Sequence, residues 1–387
     1  MTATSAVSKH AAASTAGARQ GGSTPGLANS IRSQILRHGK DRLAEQVLDQ
    51  VRASRSGTAI EPTTAAFYDC VLDKAENRYS YRSYLALDVL SPLLPPSGDV
   101  RSGWELVSHL LLDLAEFEQM TLDDHDSEFL PNGRPDRHVA LRRIRKIDLL
   151  RGGAGSAGRS TSPAGELVEK ILRFSVLPVS SQHDEYLFIR VLQCYETVFT
   201  TMATMLGQAL LAAGSDRVRE VARHVDSAAT TLDQASGLFS LLATMPPAHF
   251  RSFRMQTDGS SAIQSEAYKL VEIFCALPKR ARLDSPAFLS VPDVRLHALS
   301  GHKTLSSWHG RQQDRWSVAE GEMVTNAVQR LERSHQKWKR THHSIAKSMI
   351  GTSGGTGGTE GIEYLRRCME NRLFWPISEQ ASSHHNS

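Results

Sequence analysis

A long amphipathic pattern that runs into a dense cluster of glycines constrains the fold of this chain more than any other feature. Its bulky residues recur at spacings of four, three and four, which places them on one helical face: Trp338, His342, Ile345 and Met349. Charged residues occupy the other faces, as expected of a helix packed against a core. The pattern runs from about Ser317 to Gly351, and a second helical pattern starts near Ile362.

The glycines between these two patterns are too dense for an ordinary connection. They are Gly351, Gly354, Gly355, Gly357, Gly358 and Gly361. A phosphate-binding loop is excluded because no Gly-Lys-Ser/Thr follows and a helix, not a strand, leads in. A dinucleotide fingerprint is excluded because the glycine spacing differs and no βαβ pattern surrounds it. The run therefore predicts a loop whose backbone is approached closely by something other than a nucleotide.

Composition narrows the remaining classes. Hydrophobic residues make up 40% of the 387 positions, which is ordinary for a globular protein. The net charge of +4 is small for this length, and the basic block at 142–146 has no aromatic interleaving, so no nucleic-acid partner is predicted. No zinc-binding spacing occurs among the 16 histidines. No apolar run reaches the length of a membrane span, so no membrane partner is predicted.

The cysteines and the N-terminal residues indicate the cellular compartment of the protein. The four cysteines have no framework spacing, which suits a reducing compartment and predicts a cytoplasmic protein. The first thirty residues contain no apolar core of a signal peptide. Residues 1–27 are rich in Ser, Ala, Thr and Gly without an acidic residue, and they predict a disordered tail. A mitochondrial transit peptide has a similar composition.

Helical periodicity continues through most of the chain, so the sequence predicts an all-α protein with one domain at 28–376 and a polar tail at 377–387. The clearest patterns cover 31–51, the residues after Pro62, 104–117, 137–151, 183–213 and 218–242. Prolines break the pattern within 277–316, and we assign no chemistry to that stretch.

The helix and glycine run together resemble a known enzyme family. His342, followed after fourteen residues by Thr356 in Gly355-Thr356-Gly357-Gly358, resembles the haem-ligand helix and substrate loop of tryptophan 2,3-dioxygenases. The resemblance implies a mostly helical protein that binds haem b, with His342 as the ligand of the iron. It also implies that Thr356 contacts the amino-acid part of the substrate and that Trp338, Gly355 and Gly357 contribute to cofactor binding.

Two further segments resemble the family in the same order. Tyr81 and Tyr84 lie in Tyr-x-x-Tyr-Leu-x-Leu-Asp, where the family's tyrosines line a substrate pocket, partly that of a neighbouring subunit. Phe188 lies in His-Asp-Glu-Tyr-Leu-Phe-Ile and matches the aromatic residue that faces the substrate ring. The resemblance therefore implies that these three side chains bind substrate.

A fourth segment resembles the family's Phe-Arg followed by a serine-containing loop. Arg254 matches the arginine that binds the substrate carboxylate, a task for which the planar guanidinium is suited. Arg251 competes for this role. Ser261 matches a loop serine near haem and substrate, while Ala262 and Ile263 depart from the family's Gly-Phe.

Position 192 departs from the family in a way that concerns the chemistry. The dioxygenases usually place a distal histidine there to accept the indole N–H, and this chain has Leu192. A buried N–H without an acceptor costs about 1–3 kcal/mol. The distal pocket is therefore expected to be more apolar and to suit a substrate without a donor at that point.

Residues 93–182 also depart from the family, which connects the flanking elements by a much shorter link. The segment contains two helical patterns and a Gly/Ser-rich linker at 152–165. A lid, a contact between subunits and a partner-binding arm are all compatible with it.

The resemblance thus implies an oxygenase that uses O₂ at ferrous haem on tryptophan or a tryptophan-derived indole amino acid. The alternative is a haem mono-oxygenase or peroxide-using hydroxylase of another aromatic amino acid. A third reading is a non-catalytic interaction protein that keeps the fold. The resemblance also implies a homo-oligomer, either a dimer or a tetramer.

Overall fold

A computed structural model describes residues 24–57, 60–94, 100–124, 126–152, 163–260, 262–351 and 361–377. Within these ranges every regular element is helical, and an isolated bridge joins Asn132 to Gln182. The predicted all-α class is confirmed. The division into one domain with terminal tails stays a prediction.

Eight helices precede residue 180 in the described ranges. They are α1 (Thr24–His38), α2 (Glu45–Arg55), α3 (Pro62–Leu72), α4 (Tyr81–Tyr84), α5 (Leu87–Leu90), α6 (Val100–Asp123), α7 (Arg137–Leu150) and α8 (Pro163–Phe174).

Eleven more follow in the rest of the described chain. They are α9 (His183–Gly214), α10 (Val218–Gln234), α11 (Phe239–Leu242), α12 (Pro247–Arg254), α13 (Glu266–Cys275), α14 (Arg280–Leu283), α15 (Pro286–Leu289), α16 (Pro292–Leu299), α17 (Leu305–Gln312), α18 (Val318–Ile350) and α19 (Ile362–Cys368).

The first two helices meet at a corner that divides the pattern predicted at 31–51. Gly39 has a φ of 84°, in the left-handed region that favours glycine. A Cβ at this position would lie 2.6 Å from the carbonyl oxygen of Val179. The adjacent Lys40 N–H donates to the carbonyl of Pro178 at 2.7 Å. The corner therefore exists because two distant stretches of backbone meet there.

The structure describes only the end of the predicted N-terminal tail at 1–27. Helix α1 begins at Thr24, so the last four residues of that range are helical, and Ala28 and Ile31 are buried in the core. Residues 1–23 lie outside the described part of the chain.

Helix α9 is the centre of the fold and confirms the pattern at 183–213. It packs against α6, α10 and α13, and buried residues occur around its whole circumference. Its length and composition would also allow it to cross a membrane, which corrects the expectation that no apolar run is that long. This is weak evidence for a span, since most of the relevant stretch is buried within the protein and a core helix has the same composition.

Helix α18 packs against α10 and α12 and confirms the pattern that begins near Ser317. Its first turn has a capping box, in which Ser317 accepts a hydrogen bond from the backbone N–H of Glu320 and the Glu320 side chain accepts one in return. Gly351 ends the helix with a φ of 58°. The capping box therefore accounts for the start of the helix, and the glycine with positive φ accounts for its end.

The segment at 93–182 contributes to the core. Helix α6 packs against α9 and α7, and α8 packs against α3 and α5. Leu110, Leu111 and Leu114 of α6 are fully buried. Helix α8 begins at Pro163, so the end of the predicted linker at 152–165 is helical, while 153–162 lie outside the described residues.

Candidate functional site

A cavity of about 240 Å³ lies between α4, α9, α12, α13, α18 and α19. Its walls are mostly aromatic and aliphatic. Every predicted site residue that the structure describes lines this cavity: Tyr81, Tyr84, Phe188, Leu192, Arg254, Trp338 and His342. Residues that are separated by more than 250 positions in the sequence thus meet in one place.

The other predicted site residues lie outside the described part of the chain: Ser261, Gly355, Thr356 and Gly357. Their roles stay predictions. Three of the described residues that flank these gaps, Ser260, Ala262 and Gly361, line the cavity.

Helix α18 presents its predicted face to the cavity, because Trp338, His342, Ile345 and Met349 all line it. The imidazole of His342 stacks on Phe239, with ring centroids 5.8 Å apart and planes inclined by 13°. Burial, followed by the neighbouring charge of His343, lowers the pKa of His342 to about 4. The imidazole is therefore neutral near pH 7.

Helix α9 forms a second stripe with the same spacing as that of α18. Phe188, Leu192, Tyr195 and Phe199 recur at four, three and four residues and line the cavity. Because Leu192 belongs to this stripe, the position of the family's distal histidine is part of an apolar wall.

Helix α12 supplies two aromatic rings and a guanidinium. The rings of Phe250 and Phe253 each lie 5.4 Å from that of Phe188. Arg254 lines the cavity, and burial lowers its pKa from the usual value. Arg251 is exposed, and its Nη1 donates to the carbonyl of Met349 at 3.4 Å. The structure thus favours Arg254 over Arg251 as the arginine of the site.

The two tyrosines of α4 are bonded to buried carboxylates. The Tyr81 hydroxyl donates to Glu196 at 2.9 Å, and the Tyr84 hydroxyl donates to Glu185 at 3.3 Å. Burial raises the pKa of Glu196, and it raises that of Glu185 to about 7 against the opposing effect of several hydrogen-bond donors. Both tyrosines therefore line the cavity, and their hydroxyls are bonded to buried carboxylates.

Charged residues that sequence reasoning missed form another part of the wall. Arg282 donates to Glu272 through Nε at 3.1 Å and Nη2 at 2.9 Å. The Nζ of Lys269 lies 3.5 Å from Glu272, and burial lowers the pKa of Lys269 to about 8. Arg282 belongs to the stretch 277–316, where prolines interrupt the periodicity. No local signal in the sequence could have placed it here, because its partner lies on another helix.

Comparison with known proteins adds independent information. No family model matches the chain. A tryptophan 2,3-dioxygenase of Ruegeria pomeroyi is 29% identical over 237 residues, covering 51% of this chain and 84% of the relative. Those of Bradyrhizobium diazoefficiens and Pseudomonas fluorescens are 25% identical over 235 residues and 26% identical over 246 residues. They cover 51% and 54% of this chain, and 83% and 85% of their own lengths.

The chain is similar to tryptophan 2,3-dioxygenases over most of their length. The predicted family is thereby confirmed, together with the expectation of an oxygenase enzyme. The matches cover most of each relative but about half of this chain. Almost half of its sequence therefore lies outside these matches.

The residues that line the cavity fit a haem in their chemistry. A neutral imidazole has one ring nitrogen with a free lone pair, which is what an axial ligand of iron requires. The imidazole of His342 makes no hydrogen bond with any group in the described ranges, so that nitrogen is not committed to another described residue. The surrounding rings provide the apolar surface that a flat macrocycle needs.

Proposed function

We propose that this chain is a haem-dependent oxygenase that acts on tryptophan or on a tryptophan-derived indole amino acid. The observation that carries the proposal is that His342, Phe188 and Arg254 line one cavity. An axial ligand, an aromatic surface and a carboxylate-binding guanidinium are the groups that such a reaction needs.

In this proposal His342 would hold the iron of haem b, with Trp338, Gly355 and Gly357 beside the macrocycle. The haem supplies the activation of oxygen when it is bound. The aromatic residues of α9 and α18 exclude water from the cavity, since their rings leave little polar surface there.

The substrate would be bound by residues on three helices, together with Ser261 and Thr356. The planar guanidinium of Arg254 can bind the α-carboxylate through two parallel hydrogen bonds. Phe188 would contact the aromatic ring, and Tyr81 and Tyr84 would line the same pocket. Thr356 would contact the amino-acid part of the substrate, and Ser261 would lie near both substrate and haem. These groups orient the ring relative to the iron.

The apolar side chain of Leu192 favours a second candidate function. Without an acceptor at this position, an indole N–H would be left unpaired, whereas a ring without that donor would lose nothing. The second candidate is therefore a haem mono-oxygenase or a peroxide-using hydroxylase of another aromatic amino acid. The co-substrate would be O₂ in the first case and O₂ or peroxide in the second.

We also propose a cytoplasmic homo-oligomer, either a dimer or a tetramer. The scattered cysteines support the compartment, since all four are free thiols in the structure. Sedimentation equilibrium of the haem-loaded protein would distinguish the two oligomers from a monomer.

Absorption spectra of the ferrous protein test the cofactor assignment. We expect a Soret band in the wild type that is lost in His342→Ala and retained in His343→Ala, the adjacent residue on the same helix. Addition of L-tryptophan should shift the band. A protein without any Soret band after haem supplementation would instead support a non-catalytic protein that keeps the fold.

Product analysis then chooses between the two reactions. Opening of an indole ring with a gain of two oxygen atoms supports the dioxygenase, and gain of one oxygen atom supports the hydroxylase. Assays should include L-tryptophan, substituted indole amino acids and L-tyrosine, each with O₂ and with hydrogen peroxide. Absence of ring-opened product from every indole would contradict the first candidate.

A further inference from the structure

A chain of buried charges connects the segment at 93–182 with α12. Glu118 on α6 accepts a hydrogen bond from Nη1 of Arg143 on α7 at 2.8 Å. The Nη2 of Arg143 lies 2.7 Å from Oδ1 of Asp184, at the start of α9. The other carboxylate oxygen of Asp184 lies 2.7 Å from Nδ1 of His249 on α12. Four helices are thus linked by consecutive polar contacts.

Burial makes this chain of contacts hard to deform. The side chains of Glu118, Arg143 and Asp184 are at most 1% exposed. Burial would raise the pKa of Asp184, but the nearby His183, the charge of Arg143 and the hydrogen bond with His249 lower it, so the carboxylate is ionised. A buried charge that loses its partner is strongly unfavourable. Each group therefore holds its neighbours in place.

His249, the last residue in this series of polar contacts, lies next to the cavity. His249 directly precedes Phe250, and α12 carries Phe250, Phe253 and Arg254, which line the cavity. A helix of eight residues is too short to be stable by itself, so tertiary contacts must fix its position. The bond between His249 and Asp184 is one such contact, and packing against α18 is another.

We infer that His249 is a positioning residue for the amino-acid site, and that Arg143 of the 93–182 segment holds Asp184 in the orientation that His249 requires. The inference rests on the proposed function, because it is the substrate carboxylate that Arg254 would bind. On this inference the segment acts as an internal brace for α12. This is a role that a lid or a partner-binding arm would not have.

Substitutions of His249 test the inference. The side-chain amide of asparagine places a donor close to the position of Nδ1, so His249→Asn preserves a bond to Asp184 that His249→Leu removes. His138→Leu, at an exposed position of α7, is the matched control. Binding of L-tryptophan to the haem-loaded full-length protein is measured by equilibrium dialysis. We expect about tenfold weaker binding in His249→Leu and a change within about twofold in the other two variants.

Hydrogen–deuterium exchange provides a readout that does not depend on the ligand. We expect the amides of residues 248–254 to exchange faster in His249→Leu than in the wild type, while those of α18 are unchanged. Wild-type exchange rates in this variant, or equal losses of binding in the Asn and Leu variants, would overturn the inference. If the wild type binds no L-tryptophan, the proposed substrate is wrong, and the exchange of α12 decides the positioning role.

Discussion

Two parts of the cavity wall differ in what their residues do for each other. The apolar wall consists of Phe188, Leu192, Phe250 and Phe253 on α9 and α12. The charged wall consists of Lys269, Glu272 and Arg282 on α13 and α14. The charged groups are paired among themselves, whereas the apolar side chains have no directional partners. The charged wall therefore stabilises the fold around the cavity, whereas the apolar wall and Arg254 determine which ligand binds there.

The largest effect is expected when the charged wall loses a member. Arg282→Met leaves the buried Glu272 with one partner that is farther away, so we expect the free energy of unfolding to fall by about 3–5 kcal/mol. Arg280→Met, two residues away, removes an exposed contact to Asp284 and should change the free energy of unfolding by less than about 1 kcal/mol. Urea unfolding followed by circular dichroism compares them. Equal losses of stability in the two variants would show that the charged wall does not stabilise the fold around the cavity.

A pH-dependent effect should follow from Lys269. The folded protein releases this proton near pH 8 and the unfolded chain near 10.5, so between these values the unfolded state binds more protons. The free energy of unfolding should therefore rise with pH across this window, and fall as pH is lowered through it, by about 3 kcal/mol.

Because other groups also titrate above pH 8, the contribution of Lys269 is measured as a difference between variants. Lys269→Met should lack this rise relative to the wild type, and the exposed Lys337→Met should retain it. Urea unfolding at pH 7.5 and at intervals up to pH 10.5 provides the comparison. Parallel curves for wild type and Lys269→Met would contradict the prediction.

Substitution of Arg254 should weaken ligand binding without changing the stability of the fold. Arg254→Lys keeps the charge but loses the two-pronged geometry, so binding of L-tryptophan should weaken by about 2 kcal/mol, or about thirtyfold. Arg251→Lys is the matched control and should bind as the wild type does. Both variants should unfold at the same urea concentration as the wild type. Weaker binding in the Arg251 variant alone would reassign the carboxylate-binding role.

The smallest effect is expected at Leu192. Leu192→His supplies an acceptor for an indole N–H, so binding of L-tryptophan should strengthen by about 1 kcal/mol, or about fivefold. Binding of 1-methyl-L-tryptophan, which lacks that N–H, should not improve. Leu192→Met, which nearly conserves volume, serves as the control. An equal gain for both ligands would mean that shape, and not the hydrogen bond, had changed.

The two walls also differ in how far the sequence could predict them. The stripe on α18 has a regular spacing, and the resemblance to a family located Phe188, Leu192 and Arg254. The pair formed by Glu272 and Arg282 joins separate helices across a proline-rich stretch, so no local pattern encodes it. The same is true of Arg143 and Asp184, which meet only because α7 and α9 both pack against α6.

The periodicity was also insufficient where the backbone itself changes direction. The apolar spacing from Ile31 to Val51 continues through Gly39, although the helix does not. Helical spacing reports which residues face a core, and it is insensitive to a single residue with positive φ. The helix ends before Gly39 because the backbone of Val179 approaches it there, and Val179 is distant in the sequence.

The corner at Gly39 has a consequence for the order in which the chain folds. Its partners, Pro178 and Val179, follow it by about 140 positions, and closing a loop of that length costs conformational entropy. During synthesis on the ribosome, the turn between α1 and α2 has no partner until those residues have emerged. The N-terminal helices should therefore dock late, after local contacts between successive helices have formed.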